Sequence, residues 1–154
     1  MKKAIFFAIL LIITTISCNK NHYFEDSVEI PQGNWDLNQI VKFTVNIDDI
    51  STPYSLFVNI VHGDNYPYRN LWIFIKSTAP NGNYQFDTLN CILTDDDYKW
   101  IGKKQNNLLH ITNTFADSVE FSEPGNYTFE IQQALRQDIV PSINKIGFTI
   151  DKLN

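Results

Sequence analysis

The sequence predicts an all-β protein: a single antiparallel β-sandwich, immunoglobulin-like or jelly-roll-like, with seven or eight strands and at most one short helix. Apolar and polar residues alternate in several short segments, as they do in strands that bury one face. Turn-forming pairs such as Asn81-Gly82 and Pro124-Gly125 separate these segments. Good helix formers are concentrated only in residues 132–138, where we expect one or two helical turns.

The N-terminus precedes the folded domain. Lys2 and Lys3 are followed by an apolar run up to residue 16, which is the layout of an export signal over residues 1–17. The run is shorter than the about 20 residues that span a membrane. Its end, Ser17-Cys18, resembles a bacterial lipoprotein signal, in which the cysteine sulfur receives the lipid. We therefore predict lipidation of Cys18, a lipidated tether over 18–24 and a sandwich domain over 25–154; the alternative is an ordinary secretory signal with an incidental cysteine.

Charge and cysteine content exclude some classes of function. Loss of the signal, with Lys2 and Lys3, changes the formal net charge from −5 to −7. An acidic, exported domain is not suited to bind nucleic acid. With Cys18 lipidated, Cys91 is the one remaining thiol, so we expect no internal disulfide and a buried, inert Cys91.

The first half of the domain contains three predicted strands. Residues 25–30 have the features of an edge strand that ends at Pro31. Residues 41–47 and 54–60 alternate strictly and flank a turn, so we predict neighbouring antiparallel strands.

Residues 66–75 are the stretch around which we expect the domain to be organised. They begin with an aromatic corner, consisting of Tyr66, Pro67, Tyr68 and Arg69, whose proline restricts the backbone. Residues 71–75 are apolar on both faces, which predicts a central strand covered on both sides.

The second half supplies the remaining strands over 85–93, 108–115, 127–131 and 143–150. In the 127–131 strand, the alternation points its aromatic residues inward. The predicted structural core includes Trp72, Phe74, Cys91, Tyr127 and Phe129.

Residue patterns for catalysis and metal binding are missing from the sequence. His22, His62 and His110 have no serine-glycine elbow or catalytic cysteine signature beside them. The run 95–97 is three aspartates, but it lacks the spacing, glycine and distal glutamate of a calcium loop, so we interpret it as a solvated turn. We therefore expect no enzyme activity, no cofactor and no metal.

Aromatic residues at loop–strand junctions provide the candidate contact surface. Tyrosine and tryptophan are favoured where proteins bind partners, and loops present them outward. The predicted contact residues for a partner or ligand are Tyr66, Tyr68, Arg69, Asn70 and Trp100. In the alternative interpretation, Arg69 neutralises a carboxylate such as Asp64 and the tyrosines cap the sandwich.

Several motifs together resemble one known family. They are the lipoprotein start, Asp64-Asn65-Tyr66-Pro67-Tyr68-Arg69-Asn70-Leu71-Trp72, Lys99-Trp100-Ile101-Gly102-Lys103, and Pro124-Gly125-Asn126-Tyr127-Thr128-Phe129 through Gln133-Ala134-Leu135-Arg136. Over nearly the whole chain the sequence is similar to the gliding motility lipoprotein GldH family of Bacteroidetes. Leu135 stands where we expect methionine in many relatives, a swap that conserves volume.

The resemblance implies a cellular process in which the protein takes part, but no chemical reaction that it catalyses. It implies a non-catalytic cell-envelope lipoprotein needed for gliding motility and for the linked type IX secretion machinery. We expect an outer-membrane anchor with the domain facing the periplasm, and the alternative of a surface-facing domain stays open. Its partners would be the membrane, through the lipid on Cys18, and other proteins of the envelope or gliding machinery. Two alternatives stay open: an envelope-maintenance role, and a lipid-anchored module that binds glycan or peptide through an aromatic surface.

Overall fold

A computed structural model describes residues 22–153 of the chain. The predicted signal peptide and the lipidation site at Cys18 lie outside the described residues. The strands are β1 (Phe24–Glu29), β2 (Asn34–Asp36), β3 (Val41–Ile47), β4 (Tyr54–Gly63), β5 (Asn70–Thr78), β6 (Tyr84–Ile92), β7 (Lys103–Gln105), β8 (Leu108–Val119), β9 (Gly125–Gln133), β10 (Ile139–Pro141) and β11 (Ile143–Lys152). A single 3₁₀ turn, Pro31–Gly33, is the one helical element between residues 22 and 153.

The strands form two antiparallel sheets that pack as a sandwich, which confirms the predicted fold class. The five-stranded sheet has the order β1-β11-β4-β8-β7, and the four-stranded sheet has the order β3-β9-β5-β6. A small ribbon pairs β10 with β2. The strand count exceeds the prediction because β2, β7 and β10 have three residues each and are too short to show a period of two.

Aromatic rings join the two sheets at the centre of the core. Phe148 of β11 lies between Phe43 of β3, at 5.8 Å between ring centroids, and Phe129 of β9, at 4.5 Å. Cys91 and Tyr127, also predicted as core residues, are both buried in the same cluster. Strict alternation of buried and exposed residues along β3 shows why the period of two was informative here.

Two of the predicted core residues are not in the core. Trp72 is 41% exposed and Phe74 is 47% exposed, because they lie on the outer face of the four-stranded sheet. Leu71, Ile73 and Ile75 are fully buried on its inner face. Strand β5 is central within its sheet, between β9 and β6, but it is covered on one side only, so the prediction of a doubly covered strand is wrong.

The predicted helical turns over 132–138 are also wrong. Gln132 and Gln133 continue β9 and pair with Phe74 and Ile73 of β5. The fully buried Gln133 amide then bonds the following loop, accepting from the Leu135 N–H at 2.8 Å and donating to the Gln137 carbonyl at 2.8 Å. Tertiary pairing therefore overrides the local helix propensity of this segment.

Strand direction gives the sandwich two distinct ends. The end that carries Tyr23 and Tyr54 is called the tether pole, because the predicted tether reaches the domain there; the rings of these two tyrosines are 5.1 Å apart. The Tyr23 hydroxyl bonds the Asn46 carbonyl at 3.0 Å, which brings the end of β3 to the same pole. The opposite end, called the far pole, holds the end of β4 at Gly63 and the start of β5 at Asn70. Since β4 has ten residues that rise about 3.4 Å each, the poles are roughly 30 Å apart.

Candidate functional site

The aromatic corner lies at the far pole, where three loops meet. The loop 64–69 leads from β4 into β5, and Arg69 accepts a hydrogen bond of 2.9 Å at its carbonyl from the Leu93 N–H, at the start of the loop 93–102. The Tyr68 hydroxyl donates to Oε1 of Gln137, in the loop after β9, at 2.9 Å. Residues distant in sequence therefore form one continuous surface.

Tyr66 supports this surface from within. It is 3% exposed, and its hydroxyl donates to the Asn70 carbonyl at 2.9 Å. Its ring meets that of Tyr68 edge-on at 5.7 Å and lies 6.4 Å from that of the half-buried Trp100. Burial raises the pKa of the Tyr66 hydroxyl, which therefore stays protonated as a donor. A buried ring cannot reach a partner, so the prediction that Tyr66 is a contact residue is wrong. Tyr66 instead packs beneath the exposed residues and supports them.

Arg69 holds the neighbouring loop in place, and it does so without an ion pair to any residue between 22 and 153. Its Nε donates to the Thr94 hydroxyl at 3.2 Å, and Nη2 donates to the Asp95 carbonyl at 3.1 Å. Its guanidinium carbon lies 4.0 Å from the centroid of the Tyr98 ring. Asp64 instead accepts from Lys104 Nζ at 2.6 Å, so the interpretation that Arg69 neutralises Asp64 is wrong.

The accessible part of the site consists of Tyr68, Arg69 and Tyr98, which we call the far-pole surface. Tyr68 is 42% exposed and Tyr98 is 71% exposed, whereas Asn70 and Trp100 are half-buried behind them. Tyr98 was not among the predicted contact residues. The aspartate run just before Tyr98 could have indicated its exposure, since a turn presents its last residues to solvent.

The aspartate run forms the predicted turn. Oδ1 of Asp95 accepts hydrogen bonds from the N–H groups of Asp97 and Lys99, both at 2.9 Å. Tyr98 adopts a positive φ of 65° inside this turn, which directs its ring toward Arg69. Among residues 22–153 no group of three or more histidine, cysteine, aspartate or glutamate side chains is arranged to hold a metal ion.

His62 lies directly beneath the corner. Its ring is fully buried, 4.7 Å from the Trp100 ring and 5.5 Å from that of Tyr66. Nδ1 is 2.9 Å from the Gly63 carbonyl, and because a carbonyl only accepts, Nδ1 carries the proton. Burial lowers the pKa of His62, so the ring is neutral at pH 7. A neutral, aromatic-packed histidine is suited to a structural role.

This chain resembles known proteins more closely in its sequence than in its fold. The model of the GldH lipoprotein family matches residues 22–150. A gliding motility lipoprotein GldH homolog from Christiangramia forsetii is 29% identical over 156 aligned residues, covering 97% of this chain and 95% of the relative. The gliding motility lipoprotein GldH from Flavobacterium johnsoniae is 26% identical, covering 94% of this chain and 93% of the relative.

Solved structures show only distant similarity. The VP2 subviral particle of infectious bursal disease virus aligns with a TM-score of 0.37 and 14% identity, covering 84% of this chain and 30% of VP2. TmCBM61, solved in complex with β-1,4-galactotriose, aligns with a TM-score of 0.34 and 10% identity, covering 84% of this chain and 82% of that chain. Neither alignment is close enough to support a functional comparison. In the described part of the chain, 22–153, no helix has the length and apolar character to cross a bilayer.

Proposed function

Because this chain belongs to the GldH lipoprotein family, we propose that it is a lipid-anchored, non-catalytic component of the gliding motility machinery of the cell envelope. The observation that carries the proposal is the family match over residues 22–150, together with two relatives named as gliding motility lipoproteins or their homologs. We also propose that the protein is needed for the linked type IX secretion machinery. Its lipid would be anchored in the outer membrane, with the domain in the periplasm.

Anchoring at Cys18 would fix which end of the domain faces the lipid. Three residues separate Cys18 from His22, so four Cα–Cα steps of about 3.8 Å each would place the lipidated residue within about 15 Å of His22, at the tether pole. The far-pole surface, on the opposite end, would be the part of the protein presented away from the membrane. This arrangement suits a subunit that reaches from one membrane toward a partner in the periplasm.

The far-pole surface has the properties of a pre-organised contact. Tyr68 is held by Gln137 and by the buried Tyr66 ring, and Arg69 is held by Thr94 and Asp95. Side chains that are already ordered lose little entropy when a partner binds. Tyrosine and arginine are also the residue types that most often dominate binding energy. We therefore propose this surface as the docking site for another envelope protein.

A glycan platform is less well supported at this surface. Sugar rings stack on flat, open aromatic faces, but Tyr66 is buried and meets Tyr68 edge-on. The Arg69 guanidinium already covers one face of Tyr98. The geometry of the corner therefore favours a protein partner.

The test is a double substitution, Tyr68→Ser with Arg69→Ala, in the full-length protein expressed in its own cells. We expect a near-normal melting temperature and membrane level, with loss of colony spreading and of partner capture by pull-down. Lys42→Ala with Thr44→Ser is the matched control, because both residues are exposed on β3, away from the corner. A double variant that is stable and spreads normally, or that is simply unstable, would reject the far-pole surface as the docking site.

A further inference from the structure

Strand β6 is an edge that has little of the usual protection against pairing. Sheet edges attract other strands, and proteins normally block them with charges, proline, bulges or very short strands. Edge strand β1 carries three exposed acidic residues, edge strand β3 carries Lys42, and edge strand β7 has only three residues. Strand β6 reads YQFDTLNCI, with Asp87 as its one charge, and it pairs with β5 over nine residues without a bulge. Asp87 is a single protecting charge, as Lys42 is on β3, but β6 has nine residues against the seven of β3, and the Asn46 carbonyl at the β3 edge already accepts a hydrogen bond from the Tyr23 hydroxyl. Strand β6 is therefore the edge most open to an additional strand.

The backbone of β6 offers a regular row of hydrogen-bonding groups. The Leu93 N–H bonds the Arg69 carbonyl, and the register pairs Leu71 with Cys91 and Ile75 with Asp87, so the odd-numbered residues of β6 bond β5. In an antiparallel ladder the alternate residues point their backbone groups the other way. The N–H and C=O groups of Phe86 and Thr88 therefore face outward. None of the described residues bonds them.

The outer face beside this edge is an exposed aromatic patch. Tyr84 is 64% exposed and Phe86 is 67% exposed, and Trp72 and Phe74 continue the patch onto β5. Lys76 Nζ lies 5.2 Å from the centroid of the Tyr84 ring and 5.9 Å from that of Phe86. An exposed apolar cluster of this kind usually marks an interaction site. It would receive apolar side chains from an added strand.

The inner face beside the edge opens into an acidic cleft. The cleft has a volume of about 500 Å³ and lies between the two sheets. Phe115, Phe121 and Tyr127 contribute to its apolar walls, while Asp87 and Glu120 bring carboxylates to it. No lysine or arginine of the described chain lines the cleft. Its charge and shape therefore suit a side chain with an apolar stem and a cationic end.

From these features we propose that the β6 edge binds an extended peptide segment of a partner as an added strand of the four-stranded sheet. Side chains of an extended strand alternate between the two faces of the sheet. The segment must therefore alternate apolar residues, which pack on the aromatic patch, with lysine or arginine, which enter the acidic cleft. This site goes beyond the proposed function, because it lies on a different surface from the far pole and requires no gliding machinery.

The test uses a fluorescent, acetylated heptapeptide, Lys-Val-Lys-Val-Lys-Val-Lys, with the full-length protein in detergent. Fluorescence anisotropy should show saturable binding that Thr88→Pro weakens by up to about tenfold, the effect of losing the one hydrogen bond that the Thr88 N–H would donate to the peptide. Proline is tolerated at this position because the Thr88 N–H has no partner in β5. The circular dichroism spectrum and melting temperature of Thr88→Pro should stay close to those of the wild type.

Three controls make the result decisive. A peptide of the same composition in two blocks, Lys-Lys-Lys-Lys-Val-Val-Val, tests whether the alternation matters, and Glu-Val-Glu-Val-Glu-Val-Glu tests the charge. Asp87→Asn should reduce the preference for the lysine peptide over the glutamate peptide. Equal binding of the alternating and block peptides, or full binding by a folded Thr88→Pro variant, would overturn the proposal. Dimerisation through β6 that Thr88→Pro abolishes, without peptide binding, would overturn it in favour of a second copy of this chain.

Discussion

The guanidinium carbon of Arg69 lies 4.0 Å from the centroid of the Tyr98 ring, and the same side chain bonds Thr94 and Asp95. One residue of the aromatic corner therefore secures the loop 93–102. We expect Arg69→Ala to increase hydrogen exchange of the backbone around residues 95–99, with little change in the melting temperature, because an exposed cation–π contact is worth only about 0.5–1 kcal/mol.

Arg69→Lys distinguishes the effect of the positive charge on that loop from the effect of the guanidinium hydrogen bonds. Lysine keeps the charge but cannot reach two acceptors with a planar fork. Exchange rates in Arg69→Lys should therefore resemble those of Arg69→Ala. Wild-type protection in the lysine variant would show that charge alone holds the loop.

Neighbouring residues of β5 should differ strongly in their effect on stability. Leu71 is fully buried, and Leu71→Ala should lower the free energy of unfolding by about 2–5 kcal/mol. Trp72 is 41% exposed on the other face, so Trp72→Ala should cost less than about 1 kcal/mol despite the larger truncation. Chemical denaturation of both variants tests this; equal losses would place Trp72 in the core after all.

The stability of the domain should depend on pH through His62. Burial lowers the pKa of His62 in the folded state, whereas the unfolded chain takes up a proton near pH 6.5. Its contribution to stability is therefore complete above about pH 6.5 and is lost as the pH falls from there toward the lowered folded pKa. The slope attributable to one proton is at most about 1.4 kcal/mol per pH unit.

His62→Gln should remove this slope between about pH 6.5 and the onset of carboxylate titration near pH 4.5. His110→Gln is the matched control, because His110 is exposed on β8. Denaturation series across this pH range would contradict the assignment if His62→Gln retains the wild-type slope.

Lipid attachment is predicted at Cys18 and not at Cys91. Metabolic labelling with a fatty acid should mark the wild type and Cys91→Ala, and should fail to mark Cys18→Ala. Cys91 is fully buried and burial raises the pKa of its thiol to about 12, so it is not a reactive nucleophile in the folded protein. Labelling that persists in Cys18→Ala would reject the lipoprotein assignment.

The sequence predicted those strands whose alternation is strict and failed where both faces carry apolar residues. Strand β3 alternates lysine, threonine and asparagine with buried residues, so its inner face is evident. In β5, Trp72 and Phe74 are as apolar as their buried neighbours, and the period of two cannot tell an exposed aromatic face from a second core. The prediction of helical turns at Gln132 and Gln133 failed for a different reason: both residues pair with β5, and that pairing is a contact between residues distant in sequence.

The candidate site was only partly predictable for the same kind of reason. Tyr68 and Arg69 follow from local sequence, because a proline-bounded loop presents its side chains. The burial of Tyr66 and the addition of Tyr98 depend on how the loop 93–102 folds against the corner. Such loop–loop packing leaves no periodic signal in the chain.

Pairing of the first strand with the last has a mechanical consequence. Strand β1 leaves the tether pole at Phe24 and runs toward the far pole, hydrogen-bonded in antiparallel fashion to β11 over six residue pairs. Tension between a lipid on the N-terminal side and a partner at the opposite end would act along β1. The bonds of the β1–β11 ladder would then be loaded in shear and share the force, instead of opening one after another like a zipper. A domain stretched between an anchor and a moving partner would resist extraction of its first strand in this geometry.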